Sequence, residues 1–165
     1  MGAAVEAALR AGYRHIDTAY AYGNEKEVGE GIKASGVPRE EIFLTTKLNN
    51  PNHQQVAEYI DRSLENLGTS YVDLYLIHWP SSTDPADSKK HLADWDYVDT
   101  WKEMQKLVGT GKVKNIGVSN FGITHLERLL AEPSCKVRFR IANSHSSRYT
   151  FSTDTAIPPH RSSRP

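Results

Sequence analysis

The sequence predicts an α/β chain whose parallel strands alternate with helices and curve into part of a barrel, with four to five strand–helix units present. Three observations carry this. Short apolar, β-branched runs alternate with amphipathic helical patterns. The alternation recurs about every 30 residues, the length of one strand–helix–strand unit, and is too irregular in sequence for a solenoid repeat. Each strand-like run also ends in a reactive polar residue: Asp17, Lys47, His78, then Ser119-Asn120. Strands joined through helices run parallel, so these positions fall at the carboxyl ends of successive strands. In a barrel all such ends share one mouth, where sites are built. In an open doubly wound sheet a ligand uses only the switch point. Four consecutive strands offering chemistry fit the barrel better.

The elements follow in order. Residues 1–11 form an alanine-rich helix closed by Gly12. Residues 13–19 read as a short strand running into a loop. Residues 24–35 are helical, with Glu25 and Glu27 early, where the helix dipole favours acids. Gly36-Val37-Pro38 ends that helix, and residues 42–46 form the next strand. Residues 51–67 predict an amphipathic helix, since Val56, Tyr59, Ile60, Ser63, Leu64 and Leu67 share one face. Residues 72–77 are almost continuously apolar, as in a strand covered on both faces. A polar loop over 80–92 leads to a helix at 97–108, a fourth strand at 113–118 and a fifth helix from Ile123. Helical periodicity stops near Val137. The last residues, from Arg138, are rich in Arg and Ser and predict a disordered tail unrelated to the preceding domain.

Composition narrows the function classes. The chain has 165 residues, a one-domain length. Lys plus Arg and Asp plus Glu are 20 each, which argues against nucleic acid or an anionic membrane surface as the main partner. No apolar run approaches the roughly 20 residues that cross a bilayer. The start lacks the pattern of a secretory signal. A single cysteine, Cys135, fits a reducing, cytoplasmic compartment. His15, His53 and His91 show no metal-ligand spacing, so no metal is expected. Gly29-Glu30-Gly31-Ile32-Lys33-Ala34 is a near match to a dinucleotide fingerprint, but it lies inside a helix and follows no strand. Gly109-Thr110-Gly111-Lys112 lacks the rest of a phosphate loop and reads as a turn. Asp84, Asp87 and Asp99 read as solvated, with no role.

Taken singly, the strand-end residues have plain readings: a loop tyrosine, a solvated lysine, a core histidine, a capping aspartate. Their joint order points further. Gly12-Tyr13-Arg14-His15-Ile16-Asp17-Thr18-Ala19, followed by Tyr22, Glu25, Val28 and Gly29, resembles the first motif of the aldo-keto reductases. The stretch from Leu67-Gly68-Thr69-Ser70-Tyr71-Val72-Asp73 to Leu74-Tyr75-Leu76-Ile77-His78-Trp79-Pro80 resembles the family's central segment. Gly111-Lys112-Val113-Lys114-Asn115-Ile116-Gly117-Val118-Ser119-Asn120-Phe121 resembles the next. The resemblance implies a (β/α)₈ TIM-barrel family fold and hydride transfer from NADPH to an aldehyde or ketone. By position it makes Tyr22 the proton donor, places Lys47 beside it and has Asp17 orient Lys47. His78 would direct the substrate carbonyl, and Trp79 would line the substrate pocket. Ser119, Asn120 and Asp17 would contact the cofactor. A phenol ordinarily holds its proton to high pH, and a neighbouring ammonium favours releasing it, which is the physical logic of a tyrosine–lysine pair.

The match is expected to be partial, covering residues 1–137. The strand before the first barrel helix is missing. Arg138-Phe139-Arg140-Ile141-Ala142-Asn143-Ser144 lacks the family's Asn-Gln pair, and Ile157-Pro158-Pro159-His160 lacks the lysine of its 2′-phosphate segment. Four strands alone would leave sheet edges unpaired. Two alternatives to a working reductase of carbonyl or polyol substrates stay open: an inactive homologue that binds a cofactor or partner, and a non-functional gene-model product. The polar 80–92 loop mildly favours sugar- or polyol-type substrates.

Overall fold

The computed structural model describes residues 1–133 and the strand at 141–142. The other residues of the expected tail, from Arg138 onward, lie outside the described residues. Strands β1 (His15–Asp17), β2 (Phe43–Leu48), β3 (Leu74–Ile77), β4 (Ile116–Ser119) and β5 (Ile141–Ala142) form one sheet in chain order, with every neighbouring pair parallel. Helix α1 (Gly2–Arg10) precedes β1. Helices α2 (Glu25–Ser35), α3 (Val56–Leu67), α4 (Tyr97–Leu107) and α5 (Ile123–Ala131) each link one strand to the next. Unbroken chain order is the pattern of a barrel wall, whereas a doubly wound sheet changes direction at a switch point.

Register decides which side chains face the helices. Asp17 pairs with Thr45, Thr45 with Leu74, Lys47 with Leu76, and Leu76 with Gly117. Because side chains alternate along a strand, Asp17, Thr45, Lys47, Leu74, Leu76, Gly117 and Ser119 share one face. The other face carries Leu44, Leu48, Tyr75, Ile77, Ile116 and Val118, all buried in the core against the helices. Val5 and Leu9 of α1, Ile60 and Leu64 of α3, and Trp101 and Met104 of α4 fill that core from outside. The apolar helix faces and the helix-side strand positions therefore hold the sheet, while the opposite face is left for chemistry.

The glycines set aside as a nucleotide fingerprint have a packing reason. A Cβ at Gly29 would stand 2.4 Å from the Leu67 carbonyl oxygen, and one at Gly31 would stand 2.4 Å from that of Gly2. Their bare backbone lets α2 lie against both α1 and the end of α3. Beside them Glu25, itself buried, accepts from the Thr46 hydroxyl at 2.6 Å and the Asn66 amide at 3.2 Å, tying α2 to β2 and α3.

Several local readings are refined. The helix expected over 51–67 is divided into a short 3₁₀ helix, Asn50–Asn52, and α3 from Val56. Asn49 accepts from the Asn50 amide, Pro51 fits the first turn, and Gln55 leaves helical dihedrals between the two. Asp99 does have a role: Asp96 accepts from the Val98 amide at 2.7 Å and Asp99 from the Asp96 amide at 3.1 Å, capping α4. Asp84 and Asp87 fold the 80–92 loop by accepting from Ala86 and Lys89 amides. At the amino ends of the strands, buried Asp73 accepts from Arg39, the Leu44 amide and Lys114, each at 2.9 Å. Burial works against its ionisation, but those three donors hold its carboxyl below the ordinary value. Arg39 and Lys114 also lie 4.1 and 4.2 Å from the Tyr71 ring centre, so one cluster joins the starts of β2, β3 and β4.

Candidate active site

Asp17 closes β1, and Lys47 lies one residue before the end of β2. Their shared sheet face turns them toward each other. Lys47 is 5% exposed and makes an ion pair with Asp17, whose other side meets solvent. The Thr18 carbonyl accepts from the same ammonium at 2.9 Å. Two anionic or dipolar acceptors thus hold a buried cation that would otherwise carry a heavy desolvation cost.

Tyr22 ends the 3₁₀ turn Tyr20–Tyr22 that follows β1, and Gly23 breaks it in the left-handed region. The residue is 53% exposed, so it is accessible to a ligand. The Lys47 ammonium lies 5.3 Å from the Tyr22 ring centre. The His78 ring meets Tyr22 edge to face at 5.7 Å. His78 follows β3, with its amide donating to the Leu48 carbonyl at 3.2 Å. Burial lowers its pKa, the Lys47 ammonium pushes the same way, and Asp17 opposes them. The imidazole is therefore neutral at neutral pH and offers one N–H. Trp79 stacks near His78 at 6.5 Å and is half exposed.

Ser119 and Asn120 end β4. Asn120 adopts φ 62, a left-handed conformation that asparagine tolerates better than most residues. Its amide donates to the His78 carbonyl at 2.9 Å and to the Ser119 hydroxyl at 3.1 Å. Ser119 is consequently linked through Asn120 to the strand end that carries His78. All seven residues singled out from the sequence stand at the carboxyl ends of β1 to β4.

Sequence reasoning missed the Thr18 carbonyl, because a backbone acceptor leaves no mark in residue identity. It noted Glu25 only as an early helix acid and as part of a motif, not as a bridge to Thr46, the neighbour of Lys47. Away from this end, a cleft of about 680 Å³ lies between the carboxyl ends of α2 and α3, lined by Gly29, Lys33, Arg39, Glu65 and Thr69 among others. None of the seven residues lines it. Among the described residues no group of three or more His, Cys, Asp or Glu side chains could hold a metal, and no helix is long and apolar enough to cross a membrane.

A model of the Aldo/keto reductase family matches residues 2–147. A glycerol 2-dehydrogenase (NADP(+)) of Saccharomyces cerevisiae is 48% identical over 81% of this chain and 48% of its own length. A glyoxal reductase of Bacillus subtilis is 46% identical over 80% of this chain and 44% of its own. Among solved structures, an aldo-keto reductase of Bombyx mori in complex with NADP superposes with a TM-score of 0.76 at 45% identity, over 85% of this chain and 47% of that one. The chain thus spans about half the length of the relatives it matches.

Proposed function

Because the chain belongs to the aldo/keto reductase family, we propose that it serves the reduction of small aldehydes or ketones to alcohols with NADPH. The observation that carries this is the juxtaposition of an accessible phenol, a buried ammonium and a neutral imidazole at one strand-end mouth. The names of the glycerol and glyoxal relatives favour small polar carbonyl or polyol substrates.

Ser119 and Asn120 suit a nicotinamide carboxamide, since side by side they present both a hydroxyl and an amide to a group that needs donor and acceptor. Asp17, half exposed at the end of β1 on the same mouth, would complete the cofactor contact. Bound NADPH would supply the hydride to the carbonyl carbon. The chain's own residues do the rest. Tyr22 passes its hydroxyl proton to the carbonyl oxygen, completing the alcohol. Negative charge left on the phenol oxygen is stabilised by Lys47, which Asp17 and the Thr18 carbonyl hold in place. His78 donates its N–H to the carbonyl oxygen and fixes its direction, and Trp79 forms a wall of the substrate pocket. In the oxidation direction Tyr22 takes the proton back.

The test is NADPH consumption by the purified 165-residue chain with glyoxal, glyceraldehyde and larger aldehydes, followed by nicotinamide absorbance beside a nicotinamide-fluorescence titration. Turnover that Tyr22→Phe abolishes without weakening NADPH binding supports the reading. A folded chain that binds NADPH yet turns over no carbonyl would overturn it in favour of a binding protein.

A further inference from the structure

His53 is fully buried, yet it takes no part in the arrangement around Tyr22. It follows the 3₁₀ helix Asn50–Asn52, just beyond β2, and its Nδ1 lies 2.7 Å from the Ser82 hydroxyl. Ser82 and Thr83 are buried too. Beside this contact the Thr83 amide donates to the Asn50 carbonyl at 3.2 Å. From that root the chain folds back on itself. The Leu92 amide donates to the Ser82 carbonyl at 3.0 Å, the Asp84 amide to the Lys90 carbonyl at 2.8 Å, and Thr83 bridges His91 antiparallel.

The chemistry of His53 suits a tie better than a filler. A buried imidazole loses its hydration, and the Nε2 of His53 has no hydrogen-bond partner. An apolar side chain of similar size would fill the same space without that cost. What the imidazole adds is the bond to Ser82, which joins the segment after Lys47 to the segment after His78. Ser82 is three residues past Trp79, at most about 11 Å of chain, so the bond to His53 anchors the chain close to Trp79.

We propose that His53 is a positioning residue: through Ser82 it sets where the loop following His78 and Trp79 stands over the mouth, and thereby which carbonyl substrates enter. The substrate half of this proposal rests on the carbonyl-reducing reading; the positional half does not.

Amide hydrogen exchange on the whole chain tests the positional half, comparing wild type with Ser82→Ala, His53→Leu and His53→Asn. Ser82→Ala and His53→Leu should speed exchange at Thr83, Asp84, Lys90 and Leu92 by about five-fold, the worth of one ordinary hydrogen bond. The amides of Lys47 and Leu76 should keep their rates. His53→Asn, whose amide group stands on Cγ where Nδ1 was, should restore loop protection. Unchanged loop exchange in Ser82→Ala, equal acceleration of loop and sheet, or His53→Asn as loose as His53→Leu would overturn it, the second showing that His53 only supports the core. For the substrate half, Ser82→Ala should change KM across aldehydes of increasing size while kcat is kept. An unchanged KM in an active variant with a loosened loop would overturn that half. A wild-type chain without turnover counts against the carbonyl-reducing reading instead, and the exchange comparison still decides the tie.

Discussion

Replacing Gly29 with alanine sets two effects of opposite sign against each other. In an isolated helix the change would help, because alanine is better than glycine in a helix interior by about 1 kcal/mol. In this fold the new methyl would stand 2.4 Å from the Leu67 carbonyl oxygen, 2.6 Å from its carbon and 2.9 Å from its Cα. Ordinary contact lies at 3.4–4 Å, so α2 and α3 must part by roughly 1 Å, enough to forfeit a good share of the dispersion contact between them. The obstacle is backbone at the last residue of α3, which no rotamer change can move. Overpacking of this kind costs about 1–3 kcal/mol, which outweighs the propensity gain. With rigid backbone as the obstacle the cost sits near the upper end of that range, so we expect a net loss of about 2 kcal/mol. Glu30→Ala, at the exposed position between the two glycines, is the control and should stay within about 0.5 kcal/mol of wild type. Urea unfolding followed by circular dichroism and tryptophan fluorescence measures both, with the midpoint shift read at constant slope. A Gly29→Ala chain as stable as wild type, or more stable, would refute the close helix contact.

Three further outcomes follow from other parts of the molecule. Lys47→Met should cut carbonyl turnover by up to about a hundred-fold, since a unit charge 5.3 Å from the Tyr22 ring centre is worth about 3 kcal/mol at an effective dielectric near 20 and Asp17 offsets part of it; steady-state kinetics check this, and unaltered kcat would refute the charge role. Asp73→Ala should destabilise by about 2–3 kcal/mol, because two cations and the Leu44 amide lose their shared acceptor. Its lowered carboxyl pKa means this contribution is complete above the ordinary value near 3.8 and disappears as pH falls through the folded value, so wild type and variant should converge in acid unfolding. Burial lowers the pKa of His53 from 6.5 to about 4, so the unfolded chain takes up a proton there that the folded chain refuses. The stability from a neutral His53 is therefore complete above pH 6.5 and shrinks by about 3 kcal/mol as pH falls to about 4. Urea midpoints across that window should show a slope that His53→Asn lacks, and parallel curves would refute it.

Much of the architecture was legible in the sequence because it depends on local pattern. The α3 face and the apolar run of β3 each repeat at the period of their element, and parallel order follows once helices separate the strands. The site was legible for a related reason: strand ends in a parallel sheet collect at one end, so Asp17, Lys47, His78 and Ser119-Asn120 could be placed together before any coordinates. Capping was legible in principle and was overlooked, since Asp96 and Asp99 stand at the spacing of a capping box.

The sequence by itself determined the parallel strand–helix alternation, the strand ends that carry reactive groups, and which face of α3 is apolar. All of these are properties of neighbours along the chain. Only the tertiary structure decided that Gly29 and Gly31 are contact points between helices. Only there do Glu25 and Thr46 meet, do the Thr18 carbonyl and Asp17 share one ammonium, and does His53 reach Ser82. Each of these joins groups brought together by the curvature and register of the sheet. Their cost and their worth depend on burial and distance, which no run of neighbouring residues contains.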